Sequence, residues 1–373
     1  MKKRCKKATI TVSMVVIWVM LPLWVYASSL NGPDVPYLIS QIRGVDTLEF
    51  CGEKISLEIE EIRERFEKEF LLILWNRPQV ILWLKRSQRY FPFLERELKE
   101  NNMPDDLKYV AIIESALLPH VRSRKGAVGF WQFMARTGRE YGLKINRHID
   151  ERQNFFASSR AAIRYLKNLH DSFGVWALAV SAYNMGEKGL KVEILEQGTS
   201  DFYQLYLPLE TQRFLFRIIS AKLIFSDPVK YGFKLDKSDY YYQLSFDRIK
   251  VKSADQIPIR IIAQAAKTHL KVIKDLNPEI RGRYLVSGNH DILIPKGALK
   301  GFHKRFQALF ENYLTERKKR VYIVKKGDSL SLIASRFNVS LATLIIWNRL
   351  DFRRPIHPGD RLIIYPVKKK PKN

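Results

Sequence analysis

Cysteine is almost absent, with two residues in 373, Cys5 and Cys51. Cys5 precedes an apolar run, the wrong position for a lipid-modified cysteine. If the N-terminal segment is removed, Cys51 stands alone, no intrachain disulfide can form, and packing must hold the fold. Histidine is also scarce, seven in all, and His148 has no companions at ligand spacing. No metal cluster, phosphate-cradling loop or Ser-His-Asp arrangement stands out, so no metal or cofactor is expected. Negative charge is short too: 38 Asp plus Glu face 64 Lys plus Arg, a net charge of +26. That excess implies an anionic partner or surface, whether nucleic acid, anionic lipid or an acidic wall polymer. The charge is spread along the chain, which weakens the nucleic-acid reading.

The N-terminus narrows the choice. Lys2, Lys3, Arg4, Lys6 and Lys7 precede an apolar stretch from Ala8 to Tyr26, and Val25-Tyr26-Ala27 resembles an A-x-A cleavage site. Residues 1–27 read as an export signal, cleaved after Ala27 or retained as an anchor, since the stretch approaches the roughly 20 residues that span a bilayer. Losing its five basic side chains leaves +21 of the +26. An exported, periplasmic or cell-envelope protein follows. Export argues against nucleic acid and leaves the wall or an anionic membrane surface as partner.

A chain of 373 residues accommodates two or three domains of roughly 100–200 residues each. Residues 28 to about 55 read as an irregular lead-in, part of an N-terminal segment 28–82. From Leu57 to about Ser226 the apolar spacing is helical, predicting helices near 57–71, 78–99, 105–118, 131–141, 156–173, 176–184 and 210–225. "NNMPDD" is a helix start, with Pro104 in the first turn and Asp105 and Asp106 at the positive end.

The C-terminal third changes character. Residues 321–367 read strand, helix, helix, strand: Tyr322 to Val324 is β-prone, Asp328 or Ser329 can cap the first helix, Ser340 the second, "HPGD" turns the chain and "RLIIY" ends it. A weaker copy lies at 250–297, offset by 71 residues, with Ala263 on Ala334, Leu270 on Leu341, Asn277 on Asn348 and Pro295 on Pro366. The copy lacks the "KKGDSL" start. Residues 298–320 read as a basic helical linker. The expected class is α+β and multidomain: a mainly α domain over 83–230, then small βααβ units.

One carboxylate carries the chemistry. Leu107, Val110, Ala111 and Glu114 share a helical stripe, so Glu114 faces the interior or a cleft wall. It also sits near the helix C-terminus, where the dipole disfavours an anion. Both effects favour the neutral acid, as a general acid requires. The plainer alternative is a Glu paired with Arg122 or Arg124. "GFWQF", from Gly129 to Phe133, offers a turn, an aromatic platform in Trp131 and Phe133, and the amide of Gln132. Taken alone, Trp131 is more often core than ligand contact. Tyr183 and Asn184 add a phenol and an amide. "HIDER", from His148 to Arg152, reads as a structural salt bridge.

Together these residues resemble the lytic transglycosylases of bacterial cell walls, which have a lysozyme-like fold, and within them the membrane-bound D group. The resemblance runs from about Trp83 through Pro228, over "MPDDLKYVAIIES", "SRKGAVGFWQFMARTGREYGL", "IDER", "AAIRYLKNLHDSFGVWALAVSAYNMG" and "LPLETQRF". Residues 321–367 resemble a LysM module, which binds N-acetylglucosamine-containing glycans. The resemblance implies that Glu114 is the catalytic acid and base at the bond between N-acetylmuramic acid and N-acetylglucosamine, and that the muramic C6 hydroxyl closes a 1,6-anhydro ring. It also implies that Ser115, Gln132, Phe133, Tyr183 and Asn184 line the cleft, joined by Glu210 of the "ET" motif. In the LysM-like block, Gly327, Asp328, Ser329 and Leu330 match one glycan-binding loop, and Ile356, His357, Pro358 and Gly359 the other. Without the family match these are cap and turn residues. Leu117, Leu118, Ala135, His148, Met185 and Phe214 depart from the usual pattern, and none removes the acid. A monomer acting on peptidoglycan strands is expected. A hydrolytic muramidase and a wall-binding scaffold without turnover are the competing readings.

Overall fold

The computed structural model describes residues 35–43, 45, 47–319, 321–351 and 355–365. The export segment 1–27 and Pro366 lie outside the described residues. Helix α1 (Val35–Arg43) forms a unit of its own.

The lead-in contains regular structure. Strands β1 (Leu48–Phe50) and β2 (Glu53–Ile55) form an antiparallel hairpin turned at Cys51 and Gly52, both at positive φ. Local sequence does not announce it, because its partners are distant. The Cys51 N–H donates to Asp106 Oδ2 at 2.7 Å. The Glu53 carboxylate accepts the N–H groups of Trp176 (2.6 Å) and Ala177 (3.3 Å). Those two groups open a helix with no side-chain cap of its own, so a carboxylate from the hairpin satisfies its orphan donors.

The helical region comprises α2 (Glu60–Trp75), α3 (Arg77–Glu100), α4 (Lys108–Ser115), α5 (Ala135–Glu140), α6 (Phe155–Phe173), α7 (Trp176–Met185), α8 (Glu187–Gln197) and α9 (Leu209–Ser226). The helix expected over 105–118 is a 3-10 turn at Asp105–Leu107 followed by the short α4. The one expected over 131–141 begins at Ala135, because Gly129 to Phe133 is a loop. Helix α8 escaped the sequence reading because it buries only Leu190 and shows no apolar stripe. Helix α9 is the centre, packed against α2, α4 and α7. It buries Phe214, Leu215, Phe216, Ile218, Ile219, Ala221 and Ile224, more than one stripe, as an interior helix does.

The C-terminal part is a pair of βααβ units. The first has β3 (Phe246–Ser253), β4 (Ile257–Pro258), α10 (Ile259–Ala265), α11 (Leu270–Leu276), β5 (Tyr284–Leu285) and β6 (Gly288–Pro295). β3 pairs antiparallel with β6, from Phe246↔Pro295 to Ser253↔Gly288, and β4 with β5. Helix α12 (Phe302–Lys319) follows. The second unit has β7 (Val321–Ile323), α13 (Leu330–Arg336), α14 (Leu341–Asn348) and β8 (Arg361–Ile363), with β7 antiparallel to β8.

The units are internal copies. Helix α13 starts 71 residues after α10, and α14 starts 71 after α11. Ile262 and Ile333, Ala263 and Ala334, Ile273 and Leu344 are buried in corresponding places. Asn277 Nδ2 donates to Ile273 O and Leu293 O while its Oδ1 accepts from Leu293 N. Asn348 repeats the pattern with Leu344 O, Ile363 O and Ile363 N. The spacing from Leu293 to Ile363 is 70. The 71-residue offset therefore slips by one in the last strand and does not extend to Pro295. The segment expected as a linker also does more than connect: Phe302 is buried in the first unit's core, and Phe306, Leu309 and Phe310 pack against it.

Candidate active site

Helix α4 buries Val110, Ala111 and Ile112 completely and stops one residue after Glu114. Two consecutive left-handed residues end it, Ala116 at φ 53 and Leu117 at φ 58. Such conformations cost L-residues about 1–2 kcal/mol each. Burial of the Leu117 side chain and a bond from Arg86 Nη1 to Ala116 O (3.1 Å) offset that cost. The chain turns away sharply, and Glu114 is left at the helix end over open space.

That space is two cavities meeting at Glu114. One, of about 540 Å³, includes Glu69, Gln79, Trp83, Ser115, Arg213 and Arg217 in its wall. The other, of about 620 Å³, is walled by Gln132, Phe133, Tyr183, Asn184, Glu210 and Thr211 among others. Glu114 belongs to both. Burial pushes its carboxyl up to about 8; the Arg217 charge works against this and the Glu210 charge adds to it. Among the described residues no ion pair or hydrogen bond reaches this carboxyl, and the pairing with Arg122 or Arg124 is not formed. A half-buried acid that holds its proton near neutral pH can donate it to a bound leaving group.

The loop before α5 forms the second cavity's floor. Gly129 has φ +88, and a Cβ there would lie 1.9 Å from Arg152 O. Gln132 is itself left-handed, φ 47, and its Nε2 donates to Val121 O (3.1 Å) and Gly129 O (2.8 Å). Its amide is thus tied into the loop at one end and lines the cavity. The Ser115 hydroxyl donates to Phe130 O at 2.7 Å. Ser115 is buried, and it fastens the end of α4 to this loop. Phe133 is buried beside Tyr165 and Tyr183. Trp131 is fully buried, with Nε1 on Ser159 Oγ at 2.9 Å, so it is core and no sugar platform.

The opposite wall comes from α7 and α9. Tyr183 donates its hydroxyl to Trp131 O at 2.6 Å. Burial first, then the neighbouring Glu114 and Tyr165, holds its phenol well above the ordinary value, so it stays a donor. Asn184 Oδ1 accepts from Thr211 Oγ1 at 2.9 Å. Glu210 is paired with Arg217 at 2.8 Å, and Arg213 with the buried Glu69 at 2.6 Å. Sequence reasoning missed Arg213 and Arg217. The signal was there: Glu210, Arg213 and Arg217 fall at i, i+3 and i+7 on one side of a helix whose core face is apolar.

The "IDER" carboxylate forms the expected structural salt bridge. Asp150 is fully buried and bidentate with Arg152, at 2.8 and 2.9 Å. Burial would raise its carboxyl, but hydrogen bonds from Arg152 and Arg281 prevail and hold it below the usual range. Among the described residues no group of His, Cys, Asp and Glu could hold a metal.

In the second βααβ unit, Gly359 N–H donates to Val324 O and Val324 N–H to Asp360 O, both at 2.8 Å. This brings the loops at Gly327–Leu330 and Ile356–Gly359 together. Most of their side chains have structural work. Asp328 accepts from Tyr322 Oη and Lys325 N, and Ser329 caps α13. Leu330 and Ile356 pack on the core. His357 N–H donates to Asp360 Oδ2, Pro358 follows, and Gly327 and Gly359 take positive φ.

Comparison with known proteins gives the family. The Transglycosylase SLT domain matches residues 91–205, and the LysM domain residues 322–364. Over 333 residues the chain is 31% identical to membrane-bound lytic murein transglycosylase D of Escherichia coli strain K12, spanning 86% of this chain and 72% of that protein. The same values hold for the protein of that name from Escherichia coli O6:H1. Among solved structures, an inactive mutant of the lytic transglycosylase Slt from Pseudomonas aeruginosa aligns at TM-score 0.33 and 19% identity, over 56% of this chain and 33% of that one. The 70 kDa soluble lytic transglycosylase of Escherichia coli aligns at TM-score 0.34 and 16% identity, over 50% and 33%. With a mainly α region matching the Transglycosylase SLT domain and a C-terminal LysM domain, the chain belongs to the membrane-bound lytic murein transglycosylase D family, glycan lyases that act on peptidoglycan.

Proposed function

We propose that the twin cavities are one substrate cleft, in which Glu114 cuts the β-1,4 bond between N-acetylmuramic acid and N-acetylglucosamine without consuming water. Glu114 gives its proton to the glycosidic oxygen, the C1–O4 bond breaks, and the muramic C6 hydroxyl attacks C1. Its proton returns to Glu114, and a 1,6-anhydro ring closes. The observation that carries this reading is the position of Glu114 where both cavities meet, with no ion-pair partner among the described residues and its carboxyl pushed up to about 8. Arg217 stabilises the carboxylate between the two transfers. The substrate's own acetamido group supports the cationic centre, among the exceptions to the two-carboxylate rule.

Gln132, Tyr183 and Asn184 orient the muramic sugar, Phe133 walls the cleft, and Ser115 and Glu210 hold its edges. The LysM loops bind glycan mainly through backbone groups, since their side chains are committed to caps and turns. Tethering by residues 321–367 raises the concentration of the cleft along the same polymer. The enzyme works in the cell envelope as a monomer, drawn to anionic wall or membrane by its basic charge. Among the described residues no single helix is long and apolar enough to cross a membrane. Glu210 favours one competing reading: a second carboxylate in the cleft wall could activate water and make the enzyme a muramidase. Its pairing with Arg217 argues against a basic role.

Mass spectrometry of products from purified peptidoglycan, comparing the mature chain with Glu114→Gln, tests the proposal. Anhydro-muropeptides from the former and none from the latter are expected. Reducing ends instead would establish hydrolysis, and intact wall with retained binding a scaffold.

A further inference from the structure

The first βααβ unit differs from the second at the end where glycan contact is expected. Ile257 and Pro258 stand 71 residues before Asp328 and Ser329, and they are hydrogen-bonded as β4 to Leu285 and Tyr284 of β5. The backbone that one loop would offer a sugar is committed to the other loop. The second loop, between α11 and β6, is committed as well. Asp150 N–H donates to Glu279 O at 2.9 Å, and Arg281 N–H to His148 O at 2.7 Å. Ile149 pairs with Ile280 across this bridge and packs on the unit's core.

The side chains continue the connection. The Arg281 guanidinium bonds the buried Asp150 carboxylate. That carboxylate holds Arg152, whose Nη1 donates to Gly126 O and Phe133 O at 3.0 Å each. These two carbonyls bracket the loop that carries Gln132. The geometry points to a brace: the first unit is no second glycan module but clamps the substrate loop through Arg281, a positioning residue acting by way of Asp150 and Arg152. The inference rests on the reading of the Glu114 cavities as the cleft. Charge-assisted bonds of this kind are strong when desolvated, and loss of one partner lets the loop open locally.

The test is hydrogen exchange and kinetics on the full chain carrying Arg281→Ala, Arg281→Lys or Arg283→Ala, the last an exposed neighbour as control. In Arg281→Ala, amides of 126–133 should exchange at least about tenfold faster, while those of α9 stay protected. Turnover of a short soluble glycan should fall about tenfold with sacculus binding unchanged. Arg281→Lys should recover most of both, and Arg283→Ala should match the wild type. Unchanged loop exchange in Arg281→Ala overturns the brace. So does a loss of sacculus binding with a quiet loop, which would make the unit a glycan module. If Arg281→Ala unfolds the unit, Arg281→Gln decides by the same criteria. Exchange is read without substrate, so the brace stands or falls separately from the reaction chemistry.

Discussion

The α-carbon of Gly129 lies so close to the carbonyl of Arg152 that a single added methyl carbon would sit 1.9 Å from that oxygen. Its φ of +88 is also one that L-residues rarely adopt. Gly129→Ala should therefore displace the loop that holds Gln132 and Phe133. Turnover should fall about a hundredfold from the misplaced cleft wall. Stability should drop by about 2–4 kcal/mol, read from thermal melting.

On the proposed mechanism Glu114 must be protonated to act as acid, so activity should fall as pH rises through about 8 in the free enzyme. Its two charged neighbours move that limb in opposite directions. Arg217→Ala removes a cation that favours the carboxylate, so the limb should move to higher pH. Glu210→Gln removes an anion that disfavours it, so the limb should move to lower pH. Profiles of kcat/KM against pH for the three proteins check both signs.

Glu279 is buried, with Oε2 lacking a hydrogen bond among the described residues, and burial pushes its carboxyl from 4.5 up to about 7. The folded state keeps a proton that the unfolded chain releases. Stability should thus be highest below pH 4.5, decline as pH rises through about 7, and level off above. Over that window the loss should reach up to about 3 kcal/mol. Glu279→Gln should flatten the dependence, which urea unfolding at pH 5 and pH 8 will show.

Asn348 ties α14 to β8 with two hydrogen bonds to Ile363 and makes a third to Leu344 O within its own helix. The unit is small, and units of this size have little stability to spare. Asn348→Ala should cost about 2–4 kcal/mol by leaving backbone groups unpaired. Sacculus pull-down should weaken to the level of a 321–373 deletion, with cleavage of short soluble glycans spared.

What the sequence disclosed depended on how local the signal was. The stripe of Leu107, Val110 and Ala111 and the caps at Ser329 and Ser340 are read within a few turns of chain, and the structure bears these out, whereas the 71-residue offset holds through both helices and slips by one in the last strand. For Trp131 the sequence left core and sugar platform both open, with core the commoner case, because composition cannot say which way a ring faces; the structure makes it core. The β1–β2 hairpin was missed because its stabilising partners are 55 and 123 residues away. The bond from Arg281 to Asp150 spans 131 residues and joins the helical region to the first βααβ unit, and no period in the sequence reports it. At the two cavities, the place of Glu114 on a buried stripe was legible from its incongruous charge, whereas Arg217 was hidden among the other basic residues of a strongly basic chain.

The carboxylate of Glu53 that caps α7 has a consequence for how the molecule is made. The hairpin is synthesised early, and the two N–H groups it must meet arrive 123 and 124 residues later. At roughly 5–20 residues per second, that is a wait of about ten seconds. Until then α7, which carries Tyr183 and Asn184, has no cap. One wall of the cleft thus becomes complete only when a late segment finds an early one, so assembly of this region is a slow, non-local step.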